Sequence, residues 1–178
     1  MPTEPRYLPN NGRVASMWRP TDVDHLFADP ATPLTVFLAV VHIPSVLTVD
    51  DPRQYHWALC WVVGHTTDRR GRKHTVHRLL QIVQEHGHDH LTNWGAMTKI
   101  GSLDTADVPT VSCPVATLTL EQRRALEVIG EDMPVRVPDG VWNCQDWCIS
   151  VLEEARKQGL VTEAEIASAL EAARNAFK

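Results

Sequence analysis

Residues 34–43, Leu-Thr-Val-Phe-Leu-Ala-Val-Val-His-Ile, are apolar on both of the faces that an extended chain presents. Side chains alternate between faces along a strand, so this segment reads as a strand buried on both sides and ending at Pro44. It cannot stand alone, and the chain supplies neighbours. Residues 54–64 form a second apolar strand, followed by the turn-rich Thr66-Thr67-Asp68-Arg69-Arg70-Gly71-Arg72 and a third strand at about 73–84. The latter two are expected to pair as a hairpin. Residues 94–103 and 108–118 are weaker strand candidates. From Thr119 the pattern becomes helical. Thr119-Leu120-Glu121-Gln122 is a capping box for a helix to about residue 129. Asn143 caps a helix running through Cys148, Val151, Leu152 and Ala155 and stopping at Gly159. Thr162 and Glu165 open a last helix with an apolar stripe of Ile166, Ala169, Leu170, Ala173 and Phe177. Strands followed by helices give an α+β class, an antiparallel sheet with helices packed on it.

A chain of 178 residues with 43% hydrophobic content suits one domain with a substantial core. That domain is expected over residues 21–178. Residues 1–20 hold Pro2, Pro5, Pro9, Asn10, Asn11, Gly12 and Pro20 and are expected to form an arm without regular structure. A net charge of −5 argues against nucleic acid as a partner. The longest apolar run, residues 34–41, is too short to span a bilayer and the N-terminus has no apolar signal core, so no membrane anchor is expected. Four cysteines without a dense framework point to free thiols in a reducing compartment, with the cytoplasm as the expected location. No sequence feature sets the oligomeric state.

Chemistry concentrates at Asn143-Cys144-Gln145-Asp146-Trp147. With Asn143 as N-cap, Cys144 falls in the first helical turn. There the unpaired N–H groups and the positive end of the helix dipole favour a thiolate, the nucleophilic form. Residues 134–140, an extended piece closed by a turn, lead into this helix. Tyr55-His56-Trp57-Ala58-Leu59 sets a histidine at the head of an apolar strand, where it can serve as base. Most lone cysteines on apolar helices are small core residues. The cap before Cys144 and the histidine upstream make this one a candidate nucleophile.

The order of His56-Trp57-Ala58-Leu59-Cys60-Trp61, then Thr75-Val76-His77-Arg78-Leu79-Leu80, then Asn143-Cys144-Gln145-Asp146-Trp147 resembles the permuted papain-like superfamily. That group includes NlpC-type peptidases, lecithin:retinol acyltransferase-like enzymes and PPPDE-type isopeptidases. Acyltransferase-like members carry a His-Trp-Ala strand, a second histidine on the next strand and an Asn-Cys-x-x-Phe helix start; Trp147 stands here at the aromatic position. The chain is also similar to uncharacterised fungal proteins with an Asn-Cys-x-x-Trp helix and a Gly-Leu ending, as in Gly159-Leu160. The resemblance covers roughly residues 54–161. It departs from the acyltransferases in the longer gap between His56 and His77 and in having no C-terminal anchoring segment.

The resemblance implies a permuted papain-like fold and a thiol-dependent hydrolase or acyltransferase. Cys144 would be the nucleophile, His56 the base and His77 the residue orienting His56, with no cofactor and no metal. The substrate would be a peptide, an isopeptide or a small-molecule amide or ester. Hairpin register decides the third residue: Gln81 lies nearer His56 if the turn is tight, and His74 is a further candidate. Two other classes remain open, a binding or scaffold protein on the same fold and a zinc-stabilised domain using His56, Cys60, Cys144 and Cys148. His86-Gly87-His88-Asp89-His90 reads as a solvated polar loop, and Arg69, Arg70, Arg72 and Lys73 as a solvated hairpin tip. Cys60 and Cys148 are expected to be buried and slow to react, whereas Cys113, in Ser112-Cys113-Pro114, is expected to be exposed.

Overall fold

Seven strands precede three helices in a computed structural model that describes residues 4–42, 51–101, 103 and 108–178. The strands are β1 (Leu34–Val41), β2 (His56–Thr67), β3 (Lys73–Leu80), β4 (Ile82–Gln84), β5 (Leu91–Asn93), β6 (Met97–Ile100) and β7 (Thr110–Leu118). The helices are α1 (Leu120–Asp132), α2 (Cys144–Lys157) and α3 (Glu163–Arg174). The α+β class is as expected. The proposed end of the first strand at Pro44 lies outside the described residues.

Five strands form one antiparallel sheet in the order β6-β3-β2-β1-β7. The doubly apolar β1 sits inside it, between β2 and β7, where both its edges are paired. One face carries Val36, Leu38 and Val40 of β1 with Trp57, Leu59 and Trp61 of β2, joined in one core with Trp147, Cys148, Val151 and Leu152 of α2. Burying side chains such as Val151 and Leu152 contributes about 1.5–3 kcal/mol each, far more than the helical propensity of a fourteen-residue segment supplies alone. The opposite face has a smaller cluster of Ala39, Ala58, Cys60 and Leu79, with Phe37 and Leu103 against it.

The expected hairpin forms between β2 and β3, with Thr67 opposite Lys73 and a register shift between Val62 and Gly64. Its turn is held by the Asp68 carboxylate, which accepts from the N–H groups of Arg70 and Arg72 at 2.8 and 2.9 Å. The third strand is shorter than its apolar run. It ends at Leu80, and after Gln81 the chain turns into β4, which pairs with β5 in a separate two-stranded ribbon. All three helix starts are capped as expected, each with both halves of its capping box formed. Cys113 corrects its expectation. It lies in β7 opposite Leu38 and is 2% exposed, because the sheet continues through the Ser-Cys-Pro segment with a bulge at Val36/Phe37.

The N-terminal arm is fastened to the domain. Pro9–Gly12 forms a 3-10 turn, and Tyr7 makes an isolated bridge with Arg136. Gly12 has φ of +81°, and a Cβ there would meet the Leu91 carbonyl oxygen at 2.5 Å, so the close approach needs glycine. Arg123 on α1 is fully buried. Its guanidinium is satisfied by Asp29 and by the carbonyls of Pro30, Thr32 and Leu118, which pins residues 29–32 to the helix.

Candidate functional site

Helix α2 begins at the candidate nucleophile because Asn143 stops the chain from being helical any earlier. Asn143 is extended (φ −146°, ψ −168°) and its side-chain oxygen accepts the N–H of Gln145 at 2.9 Å. The Asp146 carboxylate accepts the N–H of Asn143 at 3.0 Å and completes the box. Such a cap is worth about 1 kcal/mol, and here it also fixes Cys144 at the first helical position.

His56 opens β2 at the end of the sheet facing this helix start. Strict alternation would put its ring on the face of Ala58 and Cys60. At the first residue, however, the strand is only arriving from the 3-10 turn Pro52–Gln54, and the imidazole shares a hydrogen bond with the Cys144 thiol. Gln81, immediately after β3, supplies the other contact: its Oε1 lies 2.9 Å from Nε2 of His56. An accepting Oε1 keeps the proton on Nε2 and leaves Nδ1 for the sulfur.

The electrostatics of the pair are reciprocal. Burial is the largest influence on Cys144 and pushes its thiol up. The hydrogen bond and charge of His56, with the N–H groups of Trp57 and of Cys144 itself, outweigh burial and hold it below its ordinary value. Burial likewise favours neutral His56, yet the hydrogen bond and charge of Cys144 and the bond to Gln81 raise its pKa. The other three thiols go the opposite way: burial pushes Cys60 up to about 12, raises Cys113 and raises Cys148 well above its ordinary value. All four cysteines are free, and Cys144 alone among them is tuned toward thiolate. It is 9% exposed, with Sγ 3.9 Å from the Tyr55 carbonyl oxygen.

A clamp that no sequence motif announced holds the two halves together. Arg53, three residues before His56, donates to Asp146 at 2.8 Å and to the Val141 carbonyl at 2.6 Å. Asn143 returns a bond to the Arg53 carbonyl at 2.9 Å. Gln145, buried beside Cys144, donates to the carbonyls of Pro52 and Tyr55 at 2.7 and 3.0 Å. The turn carrying His56 is thus bonded on several sides to the first turn of α2.

His77 is not part of this arrangement. It pairs with Val62, six residues along β2 from His56, or about 20 Å at ~3.3 Å per residue. It also shares a strand face with Leu79, which belongs to the cluster on the face away from α2. The residue the structure brings to His56 is Gln81. His74 is further off, at the hairpin tip, with Nε2 3.4 Å from Asp68.

The zinc arrangement is divided by the sheet, since Cys60 lies in the smaller cluster and Cys148 in the main core. Among the described residues no three His, Cys, Asp or Glu side chains are grouped to hold a metal ion. In the histidine-rich loop both ring nitrogens of His90 are occupied, Nε2 by the Gly12 carbonyl at 2.9 Å and Nδ1 by Asp89 at 3.2 Å.

Two depressions flank the start of α2. One, of about 590 Å³, is bordered by Asn143, Trp142, Arg136, Gln54 and Gln84. The other, of about 430 Å³, is bordered by Tyr55, Trp57, Gln145 and the C-terminal turn of α3. No helix among the described residues is long and apolar enough to cross a membrane. No family model, no curated protein and no solved structure matches this chain.

Proposed function

We propose that this protein is a thiol-dependent hydrolase or acyltransferase that acts on an amide or ester through a thioester at Cys144. The observation that carries the reading is the relay Cys144–His56–Gln81, in which the thiol is lowered and the imidazole raised by one another despite burial. Burial alone would shift a cysteine and a histidine toward their neutral forms. The strand-borne histidine, the later helix-borne cysteine and the packing of that helix on an antiparallel sheet support a permuted papain-like arrangement.

In this mechanism the Cys144 thiolate attacks the carbonyl carbon while His56 holds the proton on Nδ1. The tetrahedral intermediate collapses as His56 passes that proton to the leaving amine or alcohol, leaving the acyl group on Sγ. Water, an amine or another alcohol then takes the acyl group with His56 acting as base. The N–H of Cys144 would serve as a donor to the developing oxyanion, and one such donor is typically worth ~3 kcal/mol. Gln81 would orient the ring and stabilise the imidazolium. Four free cysteines suit a reducing compartment, and we assign the protein to the cytoplasm.

The low exposure of Cys144 favours a second reading, a binding protein that keeps the arrangement without turnover. Incubation with p-nitrophenyl acetate separates the two. The enzyme reading predicts release of p-nitrophenolate and one acetyl group on Cys144 by intact mass and peptide mapping, both lost in Cys144→Ala. Absence of both an acetyl adduct on Cys144 and Cys144-dependent release of p-nitrophenolate supports the binding protein.

A further inference from the structure

The 590 Å³ depression beside Asn143 contains two arginines in different states. Arg53 is neutralised by Asp146 and consumed by the clamp. Arg136 is half-buried, yet among the described residues no carboxylate lies within ion-pairing distance of it. Its guanidinium stands over the Trp142 ring, 5.9 Å from the centroid. Its backbone is fixed by the bridge to Tyr7. The nearby Asp139 carboxylate accepts the N–H groups of Val141 and Trp142 at 2.9 and 2.8 Å, and it feels the Arg136 charge without reaching ion-pairing distance. A planar cation held against an aromatic face with its donors unused suits a carboxylate, which it meets with two parallel bonds at little entropic cost.

We infer that this depression holds the part of the substrate flanking the scissile bond, and that Arg136 selects a substrate carrying one carboxylate on an otherwise uncharged chain. The inference rests on the thioester reading, which puts the reacting carbonyl at Cys144, next to the bordering Asn143. A polyanion is disfavoured because Asp51 and Asp89 border the same space. The depression on the other flank is the weaker choice for an anion. Its remaining cations, Arg174 and Lys178, are exposed and solvated on the last turn of the chain.

The test compares two chloromethyl ketones of a dialanine chain, one capped with succinate and one with the neutral succinamide. The second-order rate of Cys144 labelling is followed by intact mass. The ratio of the two rates cancels any general effect on the thiol. The native protein should favour the succinate compound by about tenfold at low salt, the lower end of what hydrogen bonds to charged groups contribute. The ratio should fall to about one in Arg136→Ala and in Arg136→Met, which keeps the apolar stem over Trp142. Melting temperatures of both variants show that each is folded. A ratio of one in the native protein, or a preference that persists in Arg136→Met, overturns the inference while leaving the thioester reading intact. If iodoacetamide, used in parallel, also fails to modify Cys144, the thioester reading is lost and this inference with it.

Discussion

The side-chain oxygen of Gln81, the residue between the end of β3 and the start of the β4–β5 ribbon, lies 2.9 Å from Nε2 of His56. Were β3 to continue straight through its apolar run, Gln81 would be one more ladder residue. Because the chain turns away there, its amide is available to the histidine, and the imidazole acquires a partner.

Gln81→Ala should therefore weaken the reaction without abolishing it. Loss of one hydrogen bond to a charged ring is worth about 1.5–3 kcal/mol, so turnover of p-nitrophenyl acetate should fall roughly ten- to a hundredfold. Since the bond to Gln81 helps raise the His56 pKa, its removal should move the imidazole's titration toward lower pH. A pH–rate profile of the variant beside the native protein measures both effects.

Cys144→Ala and His56→Ala should each lower turnover by ~10³-fold or more, because nucleophile and base act as a unit. The cysteine variant should melt close to the native protein, since only a small side chain at the edge of the core is lost. His77→Ala should behave differently. Buried on the face away from α2, His77 should cost about 1–2 kcal/mol of stability when truncated and leave the Cys144 alkylation rate near native.

The pH dependence of alkylation follows from opposing influences on one thiol. In the native protein His56 holds Cys144 below its ordinary value of 9.0, so the rate should level off below pH 9. In His56→Ala the burial that pushes the thiol up is no longer opposed by the imidazole. Its inflection should move to higher pH than in the native protein, and its rate at pH 7 should fall. A native inflection at or above 9 would contradict the paired-charge description.

Arg53→Ala should loosen the clamp between the His56 turn and helix α2. Its ion pair with Asp146 is partly exposed and worth little alone, so the loss of stability should be about 1 kcal/mol. The effect on chemistry should be larger. Misplacing the two reacting groups by a fraction of an ångström should reduce turnover roughly tenfold or more. Melting temperature and p-nitrophenolate release, measured together, distinguish this pattern from simple unfolding.

The helices were legible from residue chemistry because capping is local: Thr119 with Gln122, Asn143 with its helix, and Thr162 with Glu165 each act within one turn. The doubly apolar β1 was legible for a similar reason, since its pattern needs no partner to be read. The third residue at His56 was not. It depends on the register of the β2–β3 hairpin, which is altered by the shift at Val62/Gly64, and on where β3 ends. The resemblance points to His77, but His77 lies opposite Val62, six residues along β2 from His56, and its side chain belongs to a different site. Strand β5, only Leu91–Asn93, carries too few residues to show a period. The Arg53 clamp left no local trace, because its partners are about ninety residues away along the chain.

Whether Cys144 is an activated nucleophile is read by brief exposure of the folded protein to limiting iodoacetamide near neutral pH, followed by intact-mass analysis and peptide mapping. A single carbamidomethyl group should appear first, on Cys144, with Cys60, Cys113 and Cys148 unmodified until the protein unfolds. Protection of Cys144 while any other cysteine reacts would contradict its activation by His56 and the helix start.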